Sequence, residues 1–419
     1  MKEQEKVQEY TQYCLNCKVK PCQKGCPLSN DIPTFIKQAK EGKIEDAYQT
    51  LIETTMLGAI CGRICPHEKQ CKGSCIRKIK GEAVKIGEIE SFVFDEAIRN
   101  NYQQKIEIGN ELKGKKIAVI GSGPAGLNCS AFLARSGAKV TIYEKYESLG
   151  GILRRGIPEF RLDKAILDKT IDQILSLGIE VKLNQELGKT VNLTQLKESY
   201  DAIFLGIGAN IPTKMNIEGE EKVGVFGGNT LLEKNNHPSY AEKRVAIIGG
   251  GNVAMDCART IKRKGAKEVF VIYRRAEEQM PAEEKEIEEA KKEGITFLFQ
   301  NNIVKILGEK QVEQIECIKT ELIKKEGETR LSPVDIVGSN YSMDIDYVVM
   351  AVGSKVEKES VNQTELEVTE KGYIKINENY QTSDPKIYAG GDLIGQKATV
   401  AWAAMAGREA AKNIIEALK

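Results

Sequence analysis

Eight of the eleven cysteines fall into two short bursts. The first, CLNCKVKPCQKGCP, spaces Cys14, Cys17, Cys22 and Cys26 as C-x2-C-x4-C-x3-C-P. The second, CGRICPHEKQCKGSC, spaces Cys61, Cys65, Cys71 and Cys75 as C-x3-C-P-x4-C-x3-C. Eight thiolates are the number that two 4Fe-4S clusters require, and they also suffice for two zinc sites of four thiolates each. Disulfides are a third use. The N-terminus MKEQEKVQEY carries no apolar signal-like core, and no apolar run approaches a bilayer span, so a cytoplasmic chain is expected. Stable disulfides are rare there, and clustered thiols read as ligands. Cys129, Cys257 and Cys317 stand apart and read as small buried hydrophobes.

A second chemistry is written in glycines. In KKIAVIGSGPAGLNCSAFLARSGAKVTIYEK, Gly121, Gly123 and Gly126 form G-x-G-x-x-G between a buried strand and a helix. The first glycine allows the tight turn, the second lets the backbone approach a pyrophosphate, and the third lets helix pack on strand. Pro124 and Ala125 complete the turn. Glu144, 18 residues beyond Gly126, ends the next strand, where a carboxylate receives a ribose diol. The unit recurs in KRVAIIGGGNVAMDCARTIKRKGAKEVFVIYRR, with Gly249, Gly251, Asn252, Val253 and Ala254 as G-x-G-x-x-A. Here Arg274 and Arg275 stand where the acid would, and guanidinium groups there suit the 2′-phosphate of NADP. Nothing in AEEQMPAEE, which follows, adds another arginine.

These residues need elements to hold them. Between the bursts, Asn30 or Asp31 caps a helix whose stripe is Ile32, Phe35, Ile36 and Ala39. Gly42 breaks it, and Ile44, Ala47, Tyr48, Leu51 and Ile52 mark the next. GEIESFVFDEAIRN reads as a third helix, and NNYQQKIEIGNELKGK as a polar connector. AEEKEIEEAKKEG reads as a solvated helix with Glu–Lys pairs, and GEKQVEQIECIKTELIKKEGETR as a small antiparallel sheet. The length of 419 residues implies more than one domain. With 61 basic and 60 acidic side chains, the overall charge makes no case for nucleic acid or an anionic membrane. Only two histidines occur, His67 and His237, so no histidine acid–base site is indicated; His67 is expected at the surface or behind the ligands.

The joint order of GSGPAGL, YEKYESLGGILRRGIPEFRL, VAIIGGGNVAMDCART, VIYRR and IYAGGD resembles the two-dinucleotide-fold flavin reductases. With the cysteine block in front, essentially the whole chain resembles the glutamate synthase small-subunit family. That module is shared with the input half of dihydropyrimidine dehydrogenase and the large subunit of ferredoxin–NADP transhydrogenase. The resemblance implies an α/β architecture of two Rossmann-like domains behind an all-α iron–sulfur domain: residues 1–108 helical with two 4Fe-4S clusters, 109–212 and 345–419 an FAD domain, and 213–344 an inserted NAD(P) domain. It places the segments YDAIFLGIGANIP and DYVVMAVGS at the chain crossings. It implies FAD contacts from Lys145, Gly151, Arg161, Gly391, Asp392 and Thr399 besides the first turn.

The resemblance also implies interleaved ligation. Cys14, Cys17 and Cys22 would join Cys75, while Cys26 would join Cys61, Cys65 and Cys71. A flavin takes up two electrons as hydride and releases them singly, which favours iron–sulfur over redox-inert zinc. The paired cysteines of disulfide reductases are absent from both Rossmann units. The expected activity is therefore NADPH-dependent electron input, with no side chain in an acid–base role. The acceptor would be a larger catalytic subunit or a ferredoxin-like protein, since the sequence ends about twenty-five residues past Asp392. Sulfide–polysulfide chemistry is an alternative outlet.

Overall fold

The computed structural model describes residues 2–324 and 331–419. It divides into two compact units. One contains Met1–Arg154, Glu159–Ala209 and Val356–Lys419; the other contains Arg155–Pro158 and Asn210–Lys355.

The first unit is built on a five-stranded parallel sheet in the order Ile387–Ala389, Ala202–Leu205, Lys116–Ile120, Lys139–Tyr143, Glu180–Lys182. Its central strands are apolar on both faces, as a sheet covered on two sides requires. Helix Pro124–Arg135 follows the first strand and packs against the long C-terminal helix Val400–Leu418. The two approach so closely that a Cβ on Gly407 would run into the carbonyl oxygen of Ala125.

The helices around the cysteines form where the apolar spacing predicts them. Asp31 caps Ile32–Lys40 by accepting from the Thr34 N–H, and Phe35, Ile36 and Ala39 are buried. Ile44–Ile52 and Ile86–Arg99 follow, and Tyr48 meets Phe94 edge-on at 5.3 Å. These helices do not separate from the first sheet as a unit of their own, although the sequence suggests a boundary at residue 108. Three buried polar side chains join them to it. Asn128 accepts from Thr55 Oγ1 at 3.1 Å and from the Met56 N–H at 3.2 Å, and donates to the Ala404 carbonyl at 2.8 Å. Arg135 donates to the Ile52 carbonyl at 2.7 Å, and Arg408 to that of Leu28 at 2.7 Å. The polar connector is pinned too: Gly109 N–H donates to the Arg135 carbonyl at 2.7 Å.

The second unit repeats the parallel design: Val225–Gly227, Tyr347–Met350, Arg244–Ile248, Glu268–Tyr273, Thr296–Phe299. Tyr347–Met350 lies between two parallel neighbours of this sheet, so the stretch from 345 to 355 belongs here and not with the flavin-type unit, contrary to the boundary expected at 344. The physical reason is the apolar Val348–Val349–Met350 run, which needs cover on both faces. An antiparallel sheet of Asn301–Leu307, Gln314–Ile323, Ser332–Asp335 and Tyr341–Asp344 completes the unit. Of the segment expected to alternate, residues 325–330 lie outside those described. The charged helix Glu284–Lys292 is only half solvated: Ile287 and Ala290 are buried, and Glu286 pairs with Arg259 of helix Asn252–Arg263.

Among the described residues, no helix is long and apolar enough to cross a membrane.

Candidate functional site

The first glycine turn has the geometry its spacing asks for. Gly121 adopts φ +96°, and a side chain there would strike the Gly206 backbone. At Gly126 a Cβ would collide with the carbonyl oxygen of Gly121, so helix and strand meet with no room for a methyl. At Gly123, the residue before Pro124, an added Cβ would meet open space instead. Glu144 is buried at the edge of this turn. Its carboxylate accepts from Ser122 N–H at 2.9 Å, Ser122 Oγ at 2.5 Å and Tyr146 N–H at 3.0 Å. Gly151 packs against the Gly123 Cα, closing the loop over the turn, while Lys145 is exposed beside Tyr146. The turn, its cradle and the acid fit the adenylate end of a dinucleotide.

The other contributors converge on the same unit. Gly391, at φ +74°, sits against Ala125 in the first turn's helix, and Asp392 follows it. Burial pushes the Asp392 carboxyl up to about 6. Thr399 caps the long C-terminal helix, its Oγ1 accepting from Trp402 N–H at 3.4 Å. Arg161 is half-buried in the same unit.

In the second unit Gly249 has φ +138° and faces the Ala351 carbonyl, while Ala254 at the third position is fully buried. The segment that lacks a further arginine folds onto this turn. Ala282 N–H donates to the Gly250 carbonyl at 3.1 Å, and Asn252 Oδ1 accepts from Glu283 N–H at 3.0 Å. Asn252 is thus engaged within the protein, while Val253 packs near Gly228. Arg274 is exposed; Arg275 leans on the Leu331 carbonyl at 3.3 Å. Gly251 meets only Pro281, leaving the helix start accessible.

The cysteines sort into two neighbourhoods. Cys14, Cys17, Cys22 and Cys75 line one pocket of about 350 Å³, its mouth included, with Leu15, Pro21, Ile76 and Arg77 on its walls. Cys26, by contrast, is within electrostatic reach of Cys65, Cys61 of Cys26 and Cys71, and Cys71 of Cys26 and Cys65. Burial pushes the thiols of Cys22 and Cys26 up to about 11 and about 12. Only a bound cation would hold them as thiolates. Among the described residues, no three His, Cys, Asp or Glu side chains converge on a single-ion site. The pocket thiols surround a space, which suits a polynuclear cluster. The three isolated cysteines are buried, as expected of small apolar side chains.

Two residues near the second neighbourhood, Glu90 and Gln70, escape the sequence reading, and a third, His67, takes one of its two expected places. Glu90 is buried within reach of Cys26, Cys61 and Cys71, and burial raises its carboxyl to about 8 against a 3.2 Å hydrogen bond from Asn30. A signal existed: Glu90 stands in the apolar phase of Ile86, Ile89, Val93 and Phe94. Gln70, next to Cys71, is buried and reaches Thr399 Oγ1 with Nε2 at 3.4 Å. Of the two places expected for His67, the surface and behind the ligands, the structure gives the second: its Nε2 is buried without a hydrogen-bond partner, against Gly87.

Comparison with known proteins agrees with this geometry. Residues 115–410 match the family model described as pyridine nucleotide-disulphide oxidoreductase. Residues 1–102 match the model described as dihydropyrimidine dehydrogenase domain II, 4Fe-4S cluster. The small chain of glutamate synthase [NADPH] from Escherichia coli K12 is 36% identical, covering 97% of this chain and 90% of its own length. The beta subunit of NADP(+)-dependent formate dehydrogenase from Moorella thermoacetica is 34% identical over 95% of this chain and 60% of its own. Among solved structures, Mycobacterium tuberculosis FprA in complex with NADPH superposes with a TM-score of 0.63 at 20% identity, over 73% of this chain and 83% of that one, a likeness of fold. The chain belongs to the pyridine nucleotide-disulphide oxidoreductase family, as an oxidoreductase of the glutamate synthase small-chain type with an N-terminal 4Fe-4S domain.

Proposed function

We propose that this chain is an electron-input module that draws on NADPH through FAD and feeds two N-terminal 4Fe-4S clusters, which serve a partner such as a glutamate synthase large subunit. The observation that carries the reading is the sorting of eight cysteines into two groups of four within the unit that bears the first glycine turn. When bound, FAD accepts a hydride and releases single electrons, which is the traffic that iron–sulfur clusters carry.

Gly121–Gly126, Glu144, Gly151, Arg161, Gly391, Asp392 and Thr399 hold and orient the flavin cofactor in this reading. Gly249–Ala254 holds the pyrophosphate of NADPH, and Arg274 its 2′-phosphate. Cys14, Cys17, Cys22 and Cys75 form one ligand set; Cys26, Cys61, Cys65 and Cys71 form the other. Gln70 ties the second set to the cap of the C-terminal helix. No side chain exchanges a proton during hydride transfer, and positioning supplies the rate. The isolated burial of Cys129, Cys257 and Cys317 speaks against disulfide reduction.

Anaerobic purification should yield a flavin spectrum and about eight irons per chain. Cys14→Ser should leave NADPH bleaching of the flavin intact and abolish delivery to a one-electron protein acceptor. Delivery that survives this change would overturn the route.

A further inference from the structure

The segments bearing the first cysteine group differ in charge from the rest of the chain. Cys14–Cys26 contains Lys18, Lys20 and Lys24 and no acid; Cys71–Lys80 contains Lys72, Arg77, Lys78 and Lys80 and no acid. The whole chain balances 61 basic against 60 acidic residues, so this concentration is local. Lys20 and Lys72 are paired, with Asp31 at 2.6 Å and Glu68 at 2.5 Å. Lys18, Lys24, Lys78 and Lys80 form no ion pair among the described residues.

Large apolar side chains stand exposed among these cations. Val19 is 65% exposed and Ile79 77%, and Leu15 and Ile76 run from the surface into the cysteine-lined pocket. The guanidinium of Arg77 lies over the Tyr13 ring at 5.3 Å, joining the two segments into one face. All four cysteines of the pocket group are partly exposed, whereas in the other group Cys61, Cys65 and Cys71 are buried and only Cys26 is partly exposed, so the pocket group is the more accessible of the two. Exposed apolar side chains with a charged rim mark an interaction site.

We propose that this face, around Cys14, Cys17, Cys22 and Cys75, docks an electron-transfer protein whose redox centre is surrounded by acidic side chains. The inference rests on the reading of those four cysteines as cluster ligands. The cations steer an acidic partner and set its on-rate, while Val19 and Ile79 expel water from the centre of a small, transient contact. A membrane surface is the poorer match. The apolar residues come from one loop, which holds Leu15 and Val19, and a single 3-10 turn, Ile76–Ile79, whereas membrane-surface binding uses a continuous amphipathic helix.

The test uses the holoenzyme, reduced anaerobically by NADPH, with an acidic plant-type ferredoxin as acceptor. Wild-type kcat/KM should fall steeply as salt rises. Lys18→Glu combined with Lys78→Glu should lower it about tenfold at low salt. Val19→Ser with Ile79→Ser should lower it about threefold at every salt concentration. Flavin bleaching by NADPH and ferricyanide reduction should match wild type in both variants. A salt-independent rate, wild-type rates in both variants, or no ferredoxin reduction by an enzyme whose clusters NADPH does reduce would each overturn the proposal. So would phosphatidylserine vesicles sedimenting wild type but not the charge-reversed variant while ferredoxin rates stay equal, which would assign the face to a membrane. A wild type that binds no iron fails differently: it overturns the reading of the cysteines, and the docking face with it.

Discussion

The two glycine turns share a spacing but differ in what surrounds them. Behind the first, Gly126 is pressed against Gly121, and its helix is held by the C-terminal helix and by bonds to the end of Ile44–Ile52 and to Thr55 beyond it. Behind the second, Ala254 takes the place of the third glycine, and Arg274 stands in solvent where Glu144 is buried in the first. The first turn is built into a core and suits a resident cofactor. The second is lined by a loop and an exposed cation, as a dissociating substrate requires.

The contrast can be broken most severely at Gly126. Gly126→Ala should purify with under a tenth of the wild-type flavin, because the new methyl meets backbone. Ala254→Gly, its counterpart, should cost only about 1 kcal/mol of stability, from helix propensity. Absorbance at saturating added FAD and a denaturant titration check the pair.

Asn128→Ala should destabilise the protein by about 3 kcal/mol, since the Thr55 hydroxyl and the Met56 N–H lose their acceptor and the Ala404 carbonyl loses a donor in a buried site. Chemical unfolding should show the cysteine-bearing helices and the first sheet melting together in wild type.

Asp392 supplies a pH test confined to the first unit. Its folded value of about 6 lies above the ordinary 3.8, so the native state holds the extra proton. The stabilising contribution is complete below about pH 4 and is lost as pH rises through about 6. Relative to Asp392→Asn, flavin-free wild type should lose up to about 3 kcal/mol between these limits, read from unfolding curves.

The smallest effect tests the second turn. Arg274→Ala should raise KM for NADPH about tenfold with NADH unchanged. Arg275→Ala should do less, because that side chain already leans on Leu331.

Much of this was legible in advance because it is local. Strand, glycine turn and helix follow one another within about thirty residues, so both Rossmann units could be read directly, as could the cap of helix Ile32–Lys40 to within one residue. The error at the second chain crossing arose because Tyr347–Met350 is an apolar strand that either sheet could accept by pattern alone. Glu90 was passed over because one acid in a helix with polar neighbours looks solvated until the face it occupies is known. His67 was left between two places for the same reason: its burial depends on Ile86–Arg99 packing across it.

The sequence by itself determined the chemistry on offer: eight clustered thiols, two glycine turns between strand and helix, an acid after one and arginines after the other. Residue type and short spacing are enough for that. Only the tertiary structure decided which thiols are neighbours, since Cys75 reaches Cys14 through the packing of intervening helices. It also decided that those helices share a core with the first sheet, because the buried bonds of Asn128, Arg135 and Arg408 join residues far apart in the chain.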